Sequence, residues 1–109
     1  TLLDALEQRG RRPVCVDGSA LRHSPGPVLE GLCETLGIGY DSAMLRWPAG
    51  PRPEDGVWAR WWYASVHDST GFLPGTAAPA EVPERVAHLL DPCLAMYRKL
   101  SANAVRYED

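Results

Sequence analysis

The sequence predicts a mostly α-helical chain that carries one strand of an α/β unit. Apolar residues recur at spacings of three and four over several stretches, which is the helical period. One short apolar run, Pro13-Val14-Cys15-Val16-Asp17, has strand character instead. A helix, a short turn and then a buried strand is the order found in α/β folds with parallel strands. One strand cannot make a sheet. The other strands are expected elsewhere, and the chain reads as a fragment.

The elements follow from local signals. Leu2, Leu3, Ala5 and Leu6 begin an amphipathic helix that Thr1 caps and Gly10 ends. Arg11 and Arg12 lead into the strand at 13–17, and Gly18 to Leu21 reads as a turn. Ser24 as N-cap, Pro25 at the first position and Gly37 past the end define a second helix. Its face of Val28, Leu29, Leu32, Cys33 and Leu36 is core material. Asp41 then caps a brief turn holding Ala43, Met44 and Leu45.

All four tryptophans lie between Trp47 and Phe72. A Pro/Gly-rich loop, Pro48 to Gly56, feeds an aromatic helix with Val57, Trp58, Trp61, Trp62, Ser65 and Val66 on one face. Asp55 is placed to cap this helix and Gly71 to end it in a left-handed turn. Trp61 and Trp62 are expected to pack, since a tryptophan buries roughly 150–250 Å². Residues 74–83 read as a Pro/Ala/Gly-rich linker within the same domain as 1–73. Residues 84–109 supply a last helix, which Pro92 should kink or split at Asp91, and a polar tail that frays.

Composition narrows the function. At 45% hydrophobic and 23% charged, the chain is ordinary globular material, one domain or a piece of one. No apolar run approaches the roughly 18 residues that span a bilayer, so no membrane is expected and the cytoplasm is the expected compartment. The net charge of −3, with both signs mixed, argues against a nucleic-acid partner. Cys15, Cys33 and Cys93 have no C-x-x-C pairing and no zinc spacing, and read as buried free thiols with no metal. Lys99 is the single lysine, so Schiff-base chemistry has one candidate, on a helix, and is not expected.

The strand ending in Asp17, the Ser-Pro helix start and the run VLEGLCETLGIGYDSAMLRWPAGPRPEDGVWARWWYASVHDSTGF (28–72) carry a resemblance. Together they resemble the C-terminal half of a sulfotransferase-family protein, in which a strand and helix lead to L-G-I-x-(F/Y)-D-x-x-M-L. The likeness is closest to the bacterial branch with W-P-A-G-P-R-P-x-D-G-x-W followed by S-T-G-F. It covers residues 1 to 75 closely and the last helix loosely.

The resemblance implies a P-loop-type α/β fold, a central parallel sheet flanked by helices. It implies transfer of a sulfuryl group from 3′-phosphoadenosine 5′-phosphosulfate to a hydroxyl or amine of a small-molecule acceptor. Such transfer depends on positioning, on stabilising charge at the transferring oxygens, and on a base for the acceptor proton. The family's phosphosulfate loop, its base and the arginine and serine for the 3′-phosphate belong to a preceding half. No Gly-rich phosphate loop exists in these residues. Alone, the chain is expected to be inactive, pairing with a missing N-terminal half or with itself.

One functional part is expected within the chain. The family's late loop R-K-G-x-x-G-D-W-K-N closes over the nucleotide, and Arg52 to Arg60 sits at a comparable place. Arg52, Gly56, Trp58 and Arg60 are therefore the candidate nucleotide-binding residues. The first glycine and the lysine of that signature are absent, and Val57 replaces its acid. Arginine suits a phosphate because its planar fork binds two oxygens. His67 is the candidate base, although Asp68 and Ser69 point about 100° and more away from it on a helix and cannot complete a relay. No G-x-S-x-G elbow supports a hydrolase. The alternative is a small non-catalytic helical module that offers its tryptophan face to a partner.

Overall fold

Side-chain and glycine caps set the helix boundaries in the computed structural model, which describes residues 1–75 and 80–108. Helix α1 (Leu2–Gln8) starts at Thr1, whose hydroxyl accepts from the Asp4 N–H at 3.2 Å while Asp4 accepts from the Thr1 amine at 2.8 Å. This reciprocal box satisfies donors that the first turn leaves unpaired. At the other end Gly10 takes φ +65°, which lets Arg11 N–H reach Leu6 O and Gly10 N–H reach Glu7 O, both at 2.9 Å. Both ends fall where the sequence places them.

Asp17 caps a helix where only a turn is predicted. Its carboxylate accepts from Ser19 N–H at 2.8 Å and Ala20 N–H at 3.0 Å, and α2 (Gly18–His23) follows. Helix α3 (Pro25–Leu36) packs on α2, with Ser24 at its N-cap, Pro25 in its first turn and Gly37 at φ +68° as its C-cap. Its apolar stripe is covered only in part. Val28 and Cys33 are buried, Leu29 and Leu32 half-buried, and Leu36 is exposed. A 3-10 turn, Ser42–Leu45, lies against α3 and is capped by Asp41, which accepts from Ala43 N–H at 2.8 Å.

The predicted strand at 13–17 is not formed. Cys15 makes one parallel bridge to Ala104, closed by Val105 N–H to Cys15 O at 2.8 Å, and the pairing goes no further. Among the described residues there is no strand and no sheet, so the α/β expectation is corrected to a mostly helical chain. The physical reason is the partner. A strand needs a ladder, and the segment after Ala104 turns away along α3, leaving Val14 45% and Val16 37% exposed.

The aromatic helix is also corrected. It is two four-residue helices, α4 (Ala59–Trp62) and α5 (Ala64–His67), that meet at Tyr63. Asp55 does not cap α4, whose N-cap is Trp58 without a side-chain cap, and Gly71 bridges Arg46 instead of adopting a left-handed turn. Trp58, Trp61 and Trp62 are 61%, 66% and 71% exposed, so the expected packed face lies open and Ala59 is what α4 buries. The cysteines divide likewise. Cys33 is buried, Cys15 half-buried and Cys93 exposed, all as free thiols.

A 3-10 stretch, Glu84–Leu89, runs straight into α6 (Leu90–Ser101), with Pro92 in the first turn of α6. A proline there loses no intrahelical bond, and the change from 3-10 to α helix at Leu89–Leu90 lies close to the expected split at Asp91. The segment beyond α6 is docked at its near end. Residues 103–105 are half-buried, and a Cβ on Gly31 would stand 2.6 Å from Arg106 O. Lys99 ties α6 to α1 through Asp4 at 2.9 Å and Glu7 at 3.5 Å. Residues 76–79 of the predicted linker and Asp109 of the predicted tail lie outside the described residues.

The burial is thin. Four apolar side chains among the described residues are buried, Leu3, Val28, Cys33 and Ala59. The surface is 9162 Å², whereas a compact 12.0 kDa monomer exposes about 6,000 Å². The radius of gyration is 17.0 Å, against about 13 Å for a compact domain of this length.

Candidate functional site

The Trp47–Phe72 stretch closes on itself. Arg46 bridges Gly71 antiparallel, Trp47 N–H donates to Thr70 O at 3.1 Å, and Gly50 N–H donates to His67 O at 2.7 Å. Trp47 Nε1–H adds a bond to Ser69 Oγ at 3.0 Å, and its ring meets Phe72 edge-on at 5.3 Å. A Cβ on Gly71 would stand 3.1 Å from Leu45 O, a close approach at the neck.

Within the closed loop, Asp55 is the organising side chain. One of its oxygens, Oδ2, accepts from Arg52 N–H at 2.8 Å and lies 2.8 Å from His67 Nε2. The Arg52 N–H first, and the His67 contact second, hold the Asp55 carboxyl below the usual carboxylate range. An ionised carboxylate only accepts, so Nε2 carries the proton in this contact. The His67 ring also meets Tyr63 edge-on at 6.0 Å.

Around this pair lies a cavity of about 580 Å³ lined by Pro51, Arg52, Asp55, Gly56, Val57, Ala59, Arg60 and His67. Three of the four predicted nucleotide contacts, Arg52, Gly56 and Arg60, therefore share one concavity with the predicted base. Trp58 stands outside it, stacked on Trp62 at 5.6 Å and 14°. The Arg60 guanidinium lies 5.0 Å from the centre of the Trp61 ring, a cation–π placement that keeps it near the rim. A larger cavity of about 720 Å³, with Arg46, Trp47 and Phe72 in its wall, shares none of the predicted contacts.

Asp55 is the residue whose role the sequence reading misplaced. The Pro-Glu-Asp-Gly run is a turn signal, and an aspartate three residues after Arg52 can accept the turn's N–H. Its contact with His67 spans twelve residues and has no local signature. Among the described residues no group of three or more His, Cys, Asp or Glu could hold a metal, and no helix is long and apolar enough to cross a membrane.

Residues 5–104 match the protein family described as Sulfotransferase domain. The chain belongs to the sulfotransferase domain family. As a sulfotransferase-family chain it is similar to two proteins of Arabidopsis thaliana, named branched-chain-amino-acid aminotransferase-like proteins 1 and 2. The first is 44% identical over 96 residues and the second 42% over 93, which is 88% and 85% of this chain. The chain spans 17% of the length of each relative. No solved structure matches it.

Proposed function

We propose that the chain supplies the anion-gripping part of a sulfuryl-transfer site. The donor is 3′-phosphoadenosine 5′-phosphosulfate, and the acceptor is a hydroxyl or amine of a small molecule. The observation that carries this is the cavity in which Arg52, Arg60 and Gly56 converge. Its volume falls in the range of about 300–1,000 Å³ usual for small-molecule sites. The two guanidinium groups suit phosphate oxygens, because planar forks bind such oxygens in pairs. These residues would hold the nucleotide, and the donor would supply the sulfuryl group.

The chain alone is inactive in this reading, since the phosphosulfate loop comes from other residues. Its bacterial-type motifs and a cytoplasmic setting belong to the same proposal, as do a domain that runs through 1–73 and 84–109 and a linker at 74–83. The aminotransferase-like name is not carried over. It belongs to proteins of which this chain spans 17%.

The test is a thermal-shift titration with adenosine 3′,5′-bisphosphate. Stabilisation is expected, and Arg52→Ala should weaken binding roughly tenfold to hundredfold, the size of a lost bond to a charged group. No shift from a folded chain would reject the reading. It would favour instead a non-catalytic interaction module, which the exposed Trp58, Trp61 and Trp62 support.

A further inference from the structure

His67 holds the loop at two places. Its carbonyl accepts from Gly50 N–H at 2.7 Å, and its ring nitrogen meets Asp55 at 2.8 Å. The five residues Pro51–Asp55 are therefore stapled at both ends to one residue of α5, with Arg52 between the staples. Two prolines, Pro51 and Pro53, stiffen the span. The ring and the carboxylate are 20% and 22% exposed, so the contact is sheltered more than an ordinary surface pair.

We infer that Asp55 and His67 form a latch that sets the anion-gripping loop, with His67 as a positioning residue that acts through Arg52. The inference rests on the nucleotide reading only for what the loop grips. The latch is a property of the chain without ligand. Several groups surround the ring. Asp55 accepts from it, Tyr63 lies edge-on, Asp68 follows it, and Arg52 and Arg60 line the same cavity. Asp55 stays ionised well into acid. The imidazole donates to an ionised carboxylate, so the bond is charge-assisted and stronger than a neutral one.

Amide hydrogen exchange on the ligand-free full chain tests this, read at Arg52, Glu54, Asp55 and Gly56 and corrected for intrinsic rates. His67→Ala should speed exchange at Arg52 about tenfold, and His67→Gln, which keeps a donor, should restore most of the protection at about pH 7.5. Equal exchange in the unsubstituted chain and His67→Ala would overturn the latch. Titration with adenosine 3′,5′-bisphosphate separates the two claims. Exchange that follows these expectations without nucleotide binding upholds the latch and rejects the ligand. Binding that His67→Ala leaves unchanged, with unchanged exchange, rejects the latch alone.

Discussion

Asp17 shows how much a single side chain joins. Its two carboxylate oxygens divide their work, one capping α2 and the other accepting from Tyr97 Oη–H at 2.7 Å, across 80 residues. The tyrosine bond first, and the two backbone bonds after it, hold the Asp17 carboxyl below its usual range. A depressed carboxylate adds stability that is complete above about pH 4 and is lost as pH falls through the folded-state value. Tyr97→Phe should therefore move the Asp17 titration upward toward 3.8, as followed by carboxyl-carbon NMR. An Asp17 that titrates at its ordinary value in both proteins would show the bond to be absent in solution. The sequence reading places only a turn after Asp17, and nothing local points to Tyr97.

At the scale of elements, α3 is the platform on which others lean. It carries the two buried residues Val28 and Cys33, receives α2 and the 3-10 turn, and accepts the last segment beside Gly31. The clearance at Gly31 is nil, since a Cβ would lie 2.6 Å from Arg106 O and 3.1 Å from Val105 Cγ1. Gly31→Ala should therefore undock residues 103–106 and expose the Val105 amide that donates to Cys15 O. Faster exchange at Val105, with the helical signal of α3 kept, is the expected result, because alanine is the better helix former. The boundaries of α1 and α3 are readable in advance since caps and glycines act within four residues. The break at Tyr63 is not, because the periodicity is continuous and only the Asp55 bonds withdraw the expected cap.

For the whole molecule, surface is the dominant fact. It exceeds that of a compact monomer by about 3,000 Å², and that excess is larger than the roughly 800 Å² each partner buries in a standard interface. Three tryptophans, Leu89 and the apolar side of α6, with Leu90, Leu94 and Leu100, are among what lies open. Aromatic side chains on such a face dominate association energies. The chain in isolation should self-associate, with an apparent mass that rises above 12.0 kDa between about 1 and 100 μM. Serine in place of Trp58 and Trp62 together should lower that mass. A 12.0 kDa particle at every concentration would mean that the face is covered by the chain's own residues in solution.

Local chemistry was enough to determine the helical character, the capped ends of α1 and α3, and the family motifs whose membership residues 5–104 carry. The family signature also pointed to Arg52, Gly56, Trp58 and Arg60 as nucleotide contacts, with His67 as the candidate base, and all of these but Trp58 line one cavity. Three outcomes needed the folded chain. The run at 13–17 has strand composition, yet a strand exists only with a partner, and one bridge is all that Ala104 offers. The tryptophan face has the period of a packed helix, yet packing needs an opposing surface, which these residues do not provide. Asp55 looks like a helix cap, yet its carboxylate goes to His67, whose carbonyl holds Gly50. Each depends on contacts between residues far apart in the chain, and no local pattern encodes them.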